Sequence, residues 1–206
     1  MRFSVFSVVD HHPAGGRSVA EFYRETLARA ELAERLGFEA YFLAEHHFHE
    51  YGVVPDPAVI LSAIAQRTTR LRLGTAISVL PFRHPLNVAE SYAMLDVLSG
   101  GRVVLGVGSG YLAHEFAGLG IDAAEKRERF DESLAVLKQA LGGERVTFHG
   151  KFIRLEGVAI NVRPVQRPTP PIYVAVLRKD GAFHVGRQGN NLMSVPYVSV
   201  ERFADL

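Results

Sequence analysis

The feature that most constrains this chain is an alternation that recurs along it. A short apolar, β-prone run is followed by a longer segment with helical spacing, and the pair repeats. Strands are expected over residues 2–9, 39–44, 71–80 and 102–110. Helices are expected over 18–36, 56–68, 84–100 and 123–141. The helix ends carry their own signals. Ser18 with Glu21 forms the spacing of a capping box and Gly37 follows as a stop. Asp56 precedes Pro57, a favoured start, and Gly100 closes the third helix. The pattern then changes. "RVTFHGKFIRL" (145–155) reads as a hairpin turning at His149-Gly150, and the proline-rich "RPVQRPTPP" leads into a strand at 172–176. A short helix over 179–189, a sixth strand over 191–198 and the start of a further helix at 199–206 complete the reading.

Apolar strands alternating with helices imply a parallel sheet covered by helices. A closed barrel and an open doubly wound sheet both satisfy that, and the polar residues separate them. Asp10, His11 and His12 follow the first strand, and Glu45, His46 and His47 the second. Arg83 and His84 follow the third, Ser109 and Tyr111 the fourth, and Arg178 the fifth. An open sheet concentrates its site at one switch point. In a (β/α)8 barrel every strand end faces one mouth, so the α/β TIM barrel is the expected fold. Only about six strands fit into 206 residues. The expectation is therefore one barrel domain over 1–206, incomplete at its C-terminus, with a hairpin insertion near 145–155.

Composition narrows the functions. A net charge of +1 gives no electrostatic reason for a nucleic-acid partner, and no run is long and apolar enough to read as a membrane span. The chain has no cysteine, which excludes disulfides and thiolate chemistry and fits a reducing cytoplasm.

Four stretches could carry chemistry. "EHHFH" (45–49) places an acid and three imidazoles after a buried strand. Neighbouring residues there point in different directions and no pair of histidines stands at i and i+4, so proton transfer or hydrogen bonding to an organic cofactor fits better than a metal. Gly106, Gly108 and Gly110 alternate in "LGVGSGYLAHE" (105–115) and would let backbone approach a flat ring or a phosphate. The loop matches neither the dinucleotide-binding glycine pattern nor the serine nucleophile pattern. "EKRERF" (125–130) puts cations at a helix start, where the helix dipole opposes them; Arg127 is the phosphate-binding candidate. "ISVLPFRHP" (77–85) is a loop stiffened by Pro81 and Pro85.

Together, "EHHFHEYG", "LPFRHPLNVAESYAMLDVLSGGRVVLGVGSGY" and "PPIYVA" resemble the bacterial luciferase-like family of flavin-dependent monooxygenases. The resemblance implies a (β/α)8 barrel that binds FMN, or the deazaflavin F420, at its mouth. It implies that His46 assists proton transfer beside the reactive part of the flavin, with Glu45 nearby. Ala76, Ile77 and Ser78 match the stretch that packs under the flavin ring, with a non-proline cis peptide at Ala76–Ile77 or one bond later. Gly108, Ser109, Gly110 and Tyr111 match positions beside the ribityl chain and phosphate, Arg127 a phosphate-binding arginine, Glu90 an acid near it, and Glu115 an acid after strand 4. Many relatives carry Ser or Thr after strand 5; here Arg178 and Lys179 stand in that loop.

The implied activity is oxygenation of a small organic substrate, with reduced FMN supplied by a separate NAD(P)H-dependent flavin reductase. A homodimer is implied as well. The alternatives are an F420-dependent oxidoreductase and a shortened, non-catalytic flavin-binding relative.

Overall fold

The computed structural model describes residues 2–50, 52–177 and 179–194. Six strands, β1 (Val5–Ser7), β2 (Ala40–Leu43), β3 (Arg72–Val79), β4 (Val103–Gly108), β7 (Ile172–Val176) and β8 (Asn191–Ser194), form one all-parallel sheet in the order β1-β2-β3-β4-β7-β8. A separate antiparallel hairpin, β5 (Val146–His149) with β6 (Arg154–Val158), lies between β4 and β7 in the chain. The helices are α1 (Val19–Arg35), α2 (Pro57–Ala65), α3 (Pro85–Ser99), α4 (Ala113–Gly118), α5 (Lys126–Gly142) and α6 (Lys179–Arg187).

The strand order never reverses, so the sheet has no switch point, and α1 packs on α2, α2 on α3 and α3 on α5. Helices in sequential contact outside a sheet in sequential order are the arrangement of a barrel wall. The described strands make a curled part of that barrel, in which β1 and β8 are the two ends of the sheet.

The wall is filled on its helix side. Towards the helices point Tyr41, Leu43, Leu73, Leu105 and Val107, each at most 1% exposed. Burying an aliphatic side chain of this kind contributes roughly 1.5–3 kcal/mol. On the inner face, glycines stand where neighbouring strands supply bulk. A Cβ at Gly74 would lie 2.2 Å from the Phe42 ring, and one at Gly106 would lie 2.1 Å from the Thr75 carbonyl oxygen and about as close as contact allows to Met193. β4 is buried along its whole length, as a central parallel strand should be.

The helix signals act as read. Ser18 and Glu21 form the capping box, Asp56 caps α2 ahead of Pro57, and Gly100 ends α3 in the left-handed region. Loops are fixed by buried or half-buried polar side chains. Glu34 accepts the N–H groups of Thr69, Arg70 and Leu71. Asp96 accepts those of Val165 and Gln166, which anchors the proline-rich connector. Glu132 accepts those of Lys151, Phe152 and Ile153, which holds the hairpin turn. The Arg102 guanidinium donates to the carbonyls of Ala65, Thr68, Leu71 and Ser99 and closes the end of α2.

Several expectations are corrected in detail. The first strand is Val5–Ser7, not 2–9, because Val9 turns into the left-handed region (φ 59°) and ends it. The hairpin turn spans four residues between β5 and β6 rather than two at His149-Gly150, and Gly150 N–H donates to Ile153 O. The fourth expected helix begins as a 3-10 turn at Ala123–Glu125 before α5. The sixth strand is described to Ser194; the rest of 191–198, and 199–206, lie outside the described residues. Among the described residues, no helix is long and apolar enough to cross a membrane.

Candidate active site

Because all six strands are parallel, their carboxyl ends lie at one edge, and the loops there meet. After β2 the chain turns back on itself. His46 N–H donates to Val54 O, and Asp10 and Gly52 form an antiparallel bridge that ties the β1 and β2 loops together. Gly52 lies so close that a Cβ there would stand 2.4 Å from His46 Cβ, so the loop can fold over His46 only with glycine at this position.

His46 is 8% exposed. Its Nδ1 lies 3.1 Å from Oε1 of Glu115, which α4 presents from the loop after β4. The same oxygen accepts the backbone N–H of His47 at 2.9 Å. Burial alone would push the Glu115 carboxyl up, but the hydrogen bonds from His46 and from the His47 backbone outweigh it and hold the group below its ordinary value. Glu115 is therefore an ionised acceptor. A carboxylate can only accept, so the His46 nitrogen that faces it, Nδ1, carries a proton.

Glu45, with its side chain fully buried, is turned into the wall. Its Oε2 accepts the Ser78 hydroxyl at 3.1 Å and Val79 N–H at 3.2 Å, and its Oε1 lies 3.1 Å from His47 Nε2. The peptide bond Ala76–Ile77 is cis and immediately precedes Ser78. Tyr92 on α3 is fully buried nearby; burial, and after it the charge of Glu45, push its hydroxyl well above the usual tyrosine range.

The other expected positions fall into two groups. Towards the ends of β3 and β4, Ala76, Ile77, Ser109 and Gly110 are half-buried and Gly108 is buried, with Tyr111 exposed after them. A Cβ at Gly108 would stand 2.2 Å from Ile77 Cδ1, and one at Gly110, which has φ +74°, 2.9 Å from Val79 Cγ1. The side chains of Ile77 and Val79 occupy the space that a side chain at either glycine would need, so β3 and the β4 end pack closely there. The basic residues are less concentrated. Arg127, in the first turn of α5, is exposed and pairs with Asp131 on its own helix at 3.4 Å, while Glu90 is exposed on α3. Arg83 pairs with Asp56 at 3.1 Å, and His84 caps α3 by accepting Leu86 N–H, so both serve the wall. His11 is buried, with Nε2 2.6 Å from Arg17 O. Arg178 lies outside the described residues.

What the sequence reading did not supply is α4. Its start has no local signal, because Leu112 at the N-cap offers no capping side chain. The pairing of Glu115 with His46 spans 69 residues and has no local signal.

Comparison with known proteins places this geometry in context. The whole chain, residues 1–206, matches the profile of the Luciferase-like monooxygenase family. It is 40% identical over 201 residues to the uncharacterized protein y4wF of Sinorhizobium fredii, covering 97% of this chain and 59% of that one. It is 33% identical to limonene 1,2-monooxygenase of Rhodococcus erythropolis (88% and 47% covered). It is 31% identical to an F420-dependent glucose-6-phosphate dehydrogenase of Amycolatopsis mediterranei (88% and 56% covered). Among solved structures, monooxygenase RslO1 of Streptomyces bottropensis superposes with a TM-score of 0.92 at 38% identity, covering 98% of this chain and 62% of that one. The chain spans about half to three-fifths of the length of these relatives.

Proposed function

Since the chain belongs to the luciferase-like monooxygenase family, we propose that it carries the flavin-binding mouth of a flavin-dependent monooxygenase that uses reduced FMN and oxygen on a small organic substrate. The observation that carries this reading is the His46–Glu115 pair beside the Ala76–Ile77 segment at the strand ends.

The residues present fit such a cofactor. The half-buried Ala76 and Ile77, with Gly108 and Gly110 packed against β3, would take the ring, Ser109 and Tyr111 the polar chain, and Arg127 the phosphate by exchanging its surface partner Asp131. Arg178 is a second cation for the phosphate in this reading. Bound reduced flavin would supply the electrons that activate oxygen. The chain's own part is proton handling. His46 Nε2 takes a proton from a reacting group, and Glu115 stabilises the imidazolium that results, as a buried carboxylate does for a general base. Phe48 and Phe82 next to His47 give the mouth an apolar lining suited to a hydrophobic substrate.

A second reading, hydride transfer with F420, is favoured by the 31% identity to an F420-dependent dehydrogenase. In the FMN reading a separate NAD(P)H-dependent flavin reductase supplies the reduced cofactor. A homodimer is proposed from the apolar Val59, Met94, Val97 and Leu98 that α2 and α3 expose.

The test is an anaerobic titration with reduced FMN, followed by mixing with oxygenated buffer while absorbance is recorded. Saturable binding and oxygen-dependent spectral change support the monooxygenase reading. Binding of F420 with no response of bound reduced FMN to oxygen would replace it with the second.

A further inference from the structure

Two adjacent imidazoles at the mouth meet two different carboxylates through two different ring nitrogens. His46 meets Glu115 through Nδ1, and His47 meets Glu45 through Nε2, each at 3.1 Å. From this we infer that Glu45 is a positioning residue: it holds His47 in the Nε2–H tautomer, opposite to that of His46, and so presents a second basic nitrogen, Nδ1 of His47, at the reaction site. The functional part of this inference rests on the reading of the strand ends as that site.

The chemistry follows from the acceptors. An ionised carboxylate offers lone pairs only, so the ring nitrogen facing it must carry the proton. Glu45 cannot turn away to do otherwise. Its second oxygen accepts the Ser78 hydroxyl and the Val79 N–H, and its side chain has no exposure to water. Leaving a buried backbone N–H such as that of Val79 without a partner costs about 1–3 kcal/mol, so the carboxylate stays where it is. His47 is fixed from several sides. Its N–H donates to Glu115, its carbonyl accepts from His114 Nε2 at 3.2 Å, and its ring lies against Phe48 and edge-on to Phe82.

Glu45 also joins two parts of the mouth. It connects His47 to Ser78 and Val79, which directly follow the Ala76–Ile77 bond, so the imidazole and the segment proposed to lie under the cofactor share one anchor. A buried carboxylate after an apolar strand is costly unless satisfied. Here each oxygen has a partner, and each partner belongs to the site.

The test is long-range 1H–15N correlation NMR of the histidine-labelled chain without cofactor, which reads each imidazole's tautomer directly. The His47 signals are identified by their loss in His47→Gln. The expected result is an Nε2–H pattern for His47 and an Nδ1–H pattern for His46. In Glu45→Gln, one amide oxygen cannot serve Val79, Ser78 and His47 together, so the NH2 faces His47 and its pattern reverses to Nδ1–H. An Nδ1–H pattern for His47 in the unsubstituted chain overturns the inference, whether or not Glu45→Gln folds. An unchanged His47 pattern in a folded Glu45→Gln overturns it as well. The spectra need no flavin, so a chain that failed to bind FMN would sink the functional reading without imitating either result.

Discussion

The Glu115 carboxylate lies 3.1 Å from Nδ1 of His46, joining α4 to the loop after β2 across 69 residues of chain. Because Glu115 also takes the His47 N–H, one buried acid fixes both the ring of His46 and the backbone of its neighbour. The pair turns Nδ1 of the imidazole, rather than Nε2, towards the carboxylate.

His46→Ala should therefore separate binding from chemistry. Affinity for reduced FMN should stay nearly unchanged, while turnover falls at least about tenfold, a floor set below the roughly 10²–10⁴-fold that a positioned base contributes. Steady-state rates beside a binding titration check this, and equal turnover in both proteins would remove His46 from the mechanism.

Glu34 gives the chain an acid-sensitive joint. Partial burial opposes its ionisation, but the N–H groups of Arg70, Leu71 and Thr69 outweigh that and hold its carboxyl at about 2. The folded value lies below the ordinary 4.5, so the stabilisation is fully present above pH 4.5 and is lost as pH falls towards 2. Its worth, discounted for partial exposure, is roughly 2 kcal/mol. Glu34→Gln should be less stable than the parent by about that amount at pH 7, and the gap should close on acidification. Urea unfolding at pH 7 and at pH 3 measures both.

Arg102→Lys should destabilise although it keeps the charge. The guanidinium reaches Ser99 O, Thr68 Oγ1, Leu71 O, Ala65 O and Thr68 O at 2.7–3.0 Å, and one ammonium cannot span them. The expected loss is about 2–4 kcal/mol, seen as a fall in Tm of roughly 5–15 °C by calorimetry.

Gly106→Ala and Gly108→Ala should differ sharply. At Gly106 the new Cβ would meet the Thr75 backbone oxygen at 2.1 Å, which cannot move without breaking β3. At Gly108 it would meet Ile77 Cδ1, the end of a side chain that can change rotamer. The first should cost at least about 3 kcal/mol and the second about 1 kcal/mol. Comparable unfolding midpoints for the two variants would show that β3 yields more readily than its packing implies.

The sequence by itself determined the layers and their order. Alternation of apolar strands with capped helices fixes a parallel α/β wall, since Ser18–Glu21, Asp56–Pro57 and Gly100 act within one or two helical turns and owe nothing to distant residues. The strand-end position of Glu45 and His46 was equally legible, because an acid and imidazoles after a buried run stand out locally. The tertiary structure alone decided what those residues meet. It turned Glu45 into the wall towards Ser78, brought Glu115 to His46, and assigned Arg83 and His84 to Asp56 and a helix cap. Hydrogen bonds of 3 Å between residues 33 or 69 positions apart depend on how strands stack and where loops fold back, and no periodicity in the chain encodes that distance.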